Sequence, residues 1–449
     1  MENKVVYFFE QVSQIPRSSG HEKEIANFLV NFAKERNLFV KKDNFNNVLI
    51  KKNGKGKPII LQAHMDMVCV SEPDYDIDFL TKPIKLQTNG DYLSAYKTSL
   101  GADNGIGVAM ILSLLDENND YSIEALFTTD EEVTMTGALN FDYSQLNSNK
   151  MIGLDGFSEY ELINGCASIC DMKVKFKPTF RKCEKEGYEL LVSGLKGGHS
   201  GSEINKDIGN AIQIASLILS SLEDVELQNF ESGNQFNFIP NIAKLQFSSN
   251  SFDKNFNTIK ETLCNKYSSL KLSYKKIKIK ECLDNLESNK IISFIYKAKT
   301  GVILQGSNCV VLSQNIAYIN LKNGLIKISQ RGHDEDKDNS NIFRLKTLAN
   351  NYGYEFEIFD KQPGFQTGKN SSLVKDLVLE SKKFYSKPLN VVNKHISLEA
   401  CIFKQKMPNL DVAIISPTIL DMHSTKERVF LPSIDKIYNL LKSYLDRQR

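Results

Sequence analysis

The sequence predicts an α/β protein, one domain with a mostly parallel central sheet flanked by helices and an α+β domain inserted into it. Three observations carry this expectation. Apolar strands alternate with amphipathic helices through the first third of the chain, the pattern of a parallel sheet covered by crossover helices. The middle changes to half-polar strands rich in Lys and Asn. The last ~90 residues return to the first style, as they would if one domain interrupted another.

Taken in order, residues 3–15 and 22–36 carry apolar side chains at helical spacing, the second through Ile25, Leu29 and Phe32. Short apolar strands follow at 47–51 and 58–62. Residues 105–115 read as an apolar helix, 123–128 as a strand, 137–141 as a helix start and 151–154 as a strand. In the middle, 189–193, 243–248, 271–280, 316–321 and 325–330 read as strands of a half-exposed sheet. Helices fit between them at 209–222, 256–267 and 340–352. Near the end, 410–416 is a buried strand and 432–445 a helix, with Pro432 suited to its first turn.

Composition narrows the function classes. With 449 residues the chain has room for two or three domains of roughly 150 residues. The net charge is +2 and hydrophobic residues make up 41%, so a disordered chain is excluded. Near-neutral charge argues against nucleic acid as the main partner. No apolar run approaches the ~20 residues that span a bilayer, and the N-terminus does not read as a signal peptide. The eight cysteines are scattered without a C-x-x-C pair, which reads as reduced thiols in a cytoplasmic protein.

Five clusters carry chemistry. In IILQAHMDMV, His64 and Asp66 follow an apolar strand and lie on one side of an extended segment. Ligands in open α/β sheets bind beyond strand carboxyl ends, yet a loop histidine beside a capping aspartate is an equal alternative. In SLGADNGIGVAMIL, Asp103 precedes a glycine-rich helix start and could simply cap it. In FTTDEEVTMTGA, Asp130, Glu131 and Glu132 follow a strand, and adjacent glutamates can divide metal binding from proton transfer. Asp155 follows the strand of MIGLDGF, where a turn aspartate is also at home. His423 lies in ISPTILDMHSTKERV, between a buried strand and the last helix.

Together, His64, Asp103, Glu132, Asp155 and His423 form a mixed histidine and carboxylate set suited to zinc, manganese or cobalt. Five ligands exceed one tetrahedral catalytic site. They suffice for two ions ~3.5–4 Å apart if one carboxylate bridges. No H-E-x-x-H, G-x-S-x-G or P-loop motif competes.

The order H-M-D, G-A-D-N-G, D-E-E, L-D-G, G-G-H-S-G and a late H-S resembles the co-catalytic di-zinc family of aminoacylases, carboxypeptidases and dipeptidases. LQAHMDMV, GADNGIGVAM, TTDEEVTMTGA, NGCAS, GLKGGHSG and PTILDMHSTKERV are similar to its aminoacyl-histidine dipeptidase branch, peptidase D. The resemblance implies a catalytic domain at 1–186 and 363–449 and an inserted lid at 187–362. It implies two zinc ions, with His64 on one, His423 on the other and Asp103 bridging. Glu132 and Asp155 would each complete one set, Asp66 would orient His64, and Glu131 would be the general base. From the lid, His199 would stabilise the oxyanion and Asn237 would lie near the substrate. Arg331 would hold its carboxylate, a surface salt bridge being the alternative. Glu399 would line the substrate's N-terminal side. His395 has no firm role, and His21 and His333 read as surface residues. The implied substrate is a small unblocked dipeptide, and a homodimer is compatible with the resemblance.

The chain departs from the branch at Asn205, Ile208, Asn241 and Ser416, where His, Arg, Arg and Gly are usual. The metal set is untouched whereas the lid and substrate shell have drifted, so hydrolysis is expected with a specificity broader than Xaa-His. Two rivals stand beside this expectation: an aminoacylase-type amidohydrolase on the same scaffold, and a metal-free binding protein.

Overall fold

The computed structural model describes residues 3–307, 309–368 and 370–448. The chain divides into two compact units, Met1–Cys166 with Phe365–Asn393 and Leu398–Arg449, and Ala167–Gly364 with Lys394–Ser397.

The first unit is built on a mixed sheet whose four central strands are parallel: Tyr121–Thr128, Lys55–His64, Lys150–Gly153 and Asp411–Ile414, in that order. Antiparallel strands Val48–Lys52 and Phe39–Lys42 extend one side, and Glu161–Cys166 and Phe365–Gln366 the other. The central strands are buried runs, as expected of strands covered on both faces. The helix Ala102–Asp116 is apolar almost all round and nearly every residue of it is buried. The helices Lys4–Ser13, Lys23–Glu35 and Leu431–Asp446 bury one face each and join the same core. A single Leu→Ala change there should cost about 2–5 kcal/mol.

The second unit has a separate core and a second sheet, antiparallel throughout. Its strands run Lys271–Cys282, Arg181–Ser193, Ala243–Ser248, Glu226–Gly233, Val310–Asn320, Leu325–Gly332, Ser168–Lys175 and Glu355–Gln362. The helices Ala211–Ser220, Asn285–Ala298 and Glu335–Asn351 supply apolar faces to its core. The edge strand Lys271–Cys282 carries five lysines, a device that discourages pairing with another chain.

Candidate metal centre

Register explains why distant motifs meet. In the first unit's sheet His64 lies opposite Thr128, Gln62 opposite Gly153, and Gly153 opposite Ile414. The four parallel strands therefore end nearly level. Each chain leaves its strand into a loop that carries a candidate group: His64 and Asp66, Glu131 and Glu132, Asp155, and His423. The ends of parallel strands are where this architecture binds ligands. Asp103 enters from the side, in the first turn of Ala102–Asp116.

Asp103 is the centre of the cluster. Its Oδ1 lies 3.1 Å from His64 Nε2 and its Oδ2 lies 3.2 Å from His423 Nε2. Glu132 Oε1 is 2.9 Å from the same His423 nitrogen. His64, Asp103 and Asp155 can each offer a ligand atom within 4.8 Å of the others, and so can Asp103, Glu132 and His423. The two sets share Asp103 and use all five residues. A third set joins His64 to Glu131 and Glu132.

Asp66 sits behind His64, its Oδ1 3.4 Å from Nδ1. It also accepts the backbone N–H groups of Glu131 (3.1 Å) and Glu132 (3.2 Å) and the Ser19 hydroxyl (2.8 Å). One buried carboxylate thus lies against the imidazole and holds the acidic loop.

The electrostatics describe a site short of positive charge. Burial raises the pKa of Asp155 and of Glu131 well above the usual carboxylate range, and neighbouring carboxylates raise both further. Burial and Asp103 raise Glu132 as well. Burial would lower both histidines, but carboxylate partners outweigh it: His64 is held well above its ordinary value and His423 is pushed up to about 11. Burial would raise Asp103, yet the two histidine bonds keep it low. Four crowded carboxylates facing two imidazoles suit divalent cations.

Two charged residues beneath the site escape sequence reasoning. Arg17 is 1% exposed and donates to Met65 O (2.9 Å), Asp66 O (3.1 Å) and Gly101 O (2.5 Å). It ties the His64 loop to the Asp103 loop. Glu427 is 2% exposed and accepts the N–H groups of Leu100 (2.9 Å), Gly101 (2.9 Å) and Asp103 (3.2 Å). In sequence neither differs from a solvated surface charge. The one signal for Glu427 is its place in the string that holds His423.

Glu399 is in the first unit, 1% exposed. Its Oε2 accepts from Gln62 Nε2 (2.7 Å) and Thr128 Oγ1 (2.5 Å). Burial pushes its carboxyl up to about 8, with His64 acting against the shift.

The remaining candidates belong to the second unit. His199 pairs with Phe238 in a short two-stranded ladder. Its Nδ1 accepts the N–H groups of Gly201 (3.2 Å) and Ser202 (3.3 Å), which puts the proton of a neutral ring on Nε2. Asn237, exposed in the adjoining turn, accepts the Ser200 N–H through its carbonyl (2.7 Å). Arg331 is 4% exposed, next to the end of the strand Leu325–Gly332, so the surface salt bridge alternative fails. Its Nη2 is 3.5 Å from His199 Nε2, its Nε is buried without a hydrogen-bond partner among the described residues, and burial lowers its pKa to about 10. Beside it the His395 ring bonds the Ser313 hydroxyl (2.7 Å) and packs against His333 at 5.3 Å. His333 is therefore not the surface residue expected, whereas His21 is exposed.

Comparison with known proteins places the chain among peptidases. Residues 60–447 match peptidase family M20/M25/M40. The cytosol non-specific dipeptidase of Escherichia coli K12 is 31% identical over 97% of this chain and 96% of its own length. The crystal structure of an aminoacylhistidine dipeptidase from Vibrio alginolyticus superposes with a TM-score of 0.87 at 27% identity, covering 99% of this chain and 96% of that one. A Staphylococcus aureus tripeptidase shares the fold at a TM-score of 0.59 and 15% identity, over 99% and 98% of the two chains.

Proposed function

The chain belongs to peptidase family M20/M25/M40, and from that premise we propose that it is a two-metal dipeptidase that hydrolyses small unblocked dipeptides. The first unit is its catalytic domain and the second its lid. The observation that carries the proposal is Asp103, one carboxylate between two imidazoles at 3.1 and 3.2 Å. A helix cap would not need a histidine on each oxygen.

His64, Asp155 and Asp103 would hold one ion, and Asp103, Glu132 and His423 the other. The mixed nitrogen and oxygen donors suit Zn2+, with Mn2+ or Co2+ as substitutes. Such a pair of ions, when bound, supplies a water of lowered pKa and polarises the scissile carbonyl. Asp66 holds the His64 ring so that Nε2 faces the centre. Glu131 takes a proton from the attacking water and returns it to the leaving amine. His199, its Nδ1 committed to backbone donors, offers an Nε2 proton to the developing oxyanion. Arg331 takes the substrate carboxylate, which a buried guanidinium with an unpaired Nε suits. Asn237 borders the substrate, and Glu399 walls its N-terminal side.

No described helix is long and apolar enough to cross a membrane, and the Escherichia coli relative is named as cytosolic. The relative's name supports a cytoplasmic enzyme. That relative is also named non-specific, in keeping with the changes at Asn205, Ile208, Asn241 and Ser416.

The test is a panel of Xaa-His, Xaa-Leu and Xaa-Gly dipeptides, β-Ala-His, Cys-Gly and an N-acetyl amino acid. Free dipeptides should be cleaved with less than ~100-fold spread in kcat/KM between C-terminal residues. Hydrolysis of the N-acetyl substrate alone would replace the proposal with an amidohydrolase. No hydrolysis and no bound metal would replace it with a binding protein.

A further inference from the structure

Outside the metal centre, one pair of reactive side chains has no part in the mechanism. In the second unit, Cys183 and Cys282 face each other across paired strands, on Arg181–Ser193 and Lys271–Cys282, with Sγ atoms 3.1 Å apart. The ladder pairs Arg181 with Cys282 and shifts register between Lys182 and Lys185, so Cys183 lies at the irregularity. That offset turns both thiols to one spot. The Cys282 thiol donates to Glu226 Oε2 at 3.3 Å. Arg181 and Lys185 both pair with that glutamate and keep it ionised. Cys183 is half-buried and reachable, whereas Cys282 is buried.

We propose that Cys183 and Cys282 form a reversible disulfide that staples the edge strand of this sheet when the protein meets a peroxide. The Cys183 sulfur attacks hydrogen peroxide: an S–O bond forms, the O–O bond breaks, and the released hydroxide leaves as water with the thiol proton. Cys183 is oxidised by two electrons to the sulfenic acid, and the peroxide is reduced. The Cys282 sulfur then attacks the Cys183 sulfur: the S–S bond forms and the S–O bond breaks. The Cys282 proton passes through Glu226 to the departing hydroxide, giving a second water. The asymmetry assigns the roles: Cys183 is the reachable thiol, whereas Cys282 is buried and its thiol is pushed up to about 12 by burial, Cys183 and Glu226, so its proton must leave as it attacks, and Glu226 is the acceptor in contact with it. A reducing thiol reverses the bond by exchange.

Full-length protein, reduced and then exposed to graded hydrogen peroxide, is alkylated, digested without reductant and mapped by mass spectrometry. The expected first product is a cross-linked peptide pair containing Cys183 and Cys282, lighter by two hydrogens and released by dithiothreitol. The free-thiol count falls by two, and Glu226→Gln slows closure. In Cys183→Ser, Cys282 stays alkylatable at the same dose. Closure of a different cysteine pair first would overturn the proposal. So would Cys183 proceeding to sulfinic acid without a cross-link, or an unchanged rate in a folded Glu226→Gln variant.

Discussion

The two units place buried polar groups by opposite strategies. The first gathers charge at level strand ends, where His64 at the end of one parallel strand and groups in the loops after the other three converge with Asp103. The second places an arginine near the end of a strand, a histidine in a short ladder and another on the Lys394–Ser397 segment, and it depresses the pKa of His333 and His395. Burial lowers His333 to about 4, and burial with His333 and Arg331 lowers His395 to about 3. On the proposed function, one region would hold cations and the other an anion.

The largest expected effect strikes the first unit. Glu131→Gln keeps the shape of the side chain but cannot take a proton, so kcat should fall about 10²–10⁴-fold with metal content unchanged. Near-full activity in that variant would move the base elsewhere. His199→Ala comes next, with kcat down about 10²–10³-fold and metal binding intact, as for loss of one oxyanion donor. A change confined to KM would leave His199 as a binding residue only.

A smaller effect is expected beneath the centre. Glu427→Gln should weaken metal affinity about 10–100-fold, the usual range for a residue that orients a ligand. A metal titration reads it directly, and unchanged affinity would make Glu427 a purely structural cap.

The smallest effect distinguishes the units by pH. For His333 and His395 the folded pKa lies below the unfolded value of about 6.5, so the unfolded chain binds protons first as pH falls. Their contribution to stability is fully present above about 6.5 and is lost as pH falls from there through about 4 for His333 and about 3 for His395. Thermal melts across that window should show a shallower slope in a His333→Gln, His395→Gln double variant than in the parent.

Legibility in the sequence follows the same division. That His64, Asp103, Glu132, Asp155 and His423 cluster was legible because each sits at or after a strand end or at a helix start, so a local pattern reports a tertiary position. The elements of the first third were readable for the same reason, and the helices near 3–15 and 22–36 stand at Lys4–Ser13 and Lys23–Glu35. The strands Ser168–Lys175, Glu226–Gly233 and Glu355–Gln362 gave no clear signal, since their charged residues resemble surface loop. Arg17 and Glu427 were hidden because burial of a charge depends on which backbone groups the fold brings to it. The His395 contacts with Ser313 and His333 join positions more than sixty residues apart along the chain, and no local pattern encodes them.

The central claim is that Asp103 bridges two ions. Metal content of the dialysed native chain and of Asp103→Ala, each checked for folding by circular dichroism, tests it most directly. Two ions per native chain are expected, with loss of both, and of activity, in the folded variant. Two ions retained by Asp103→Ala, with stability lower by only the ~1 kcal/mol of a lost helix cap, would contradict it.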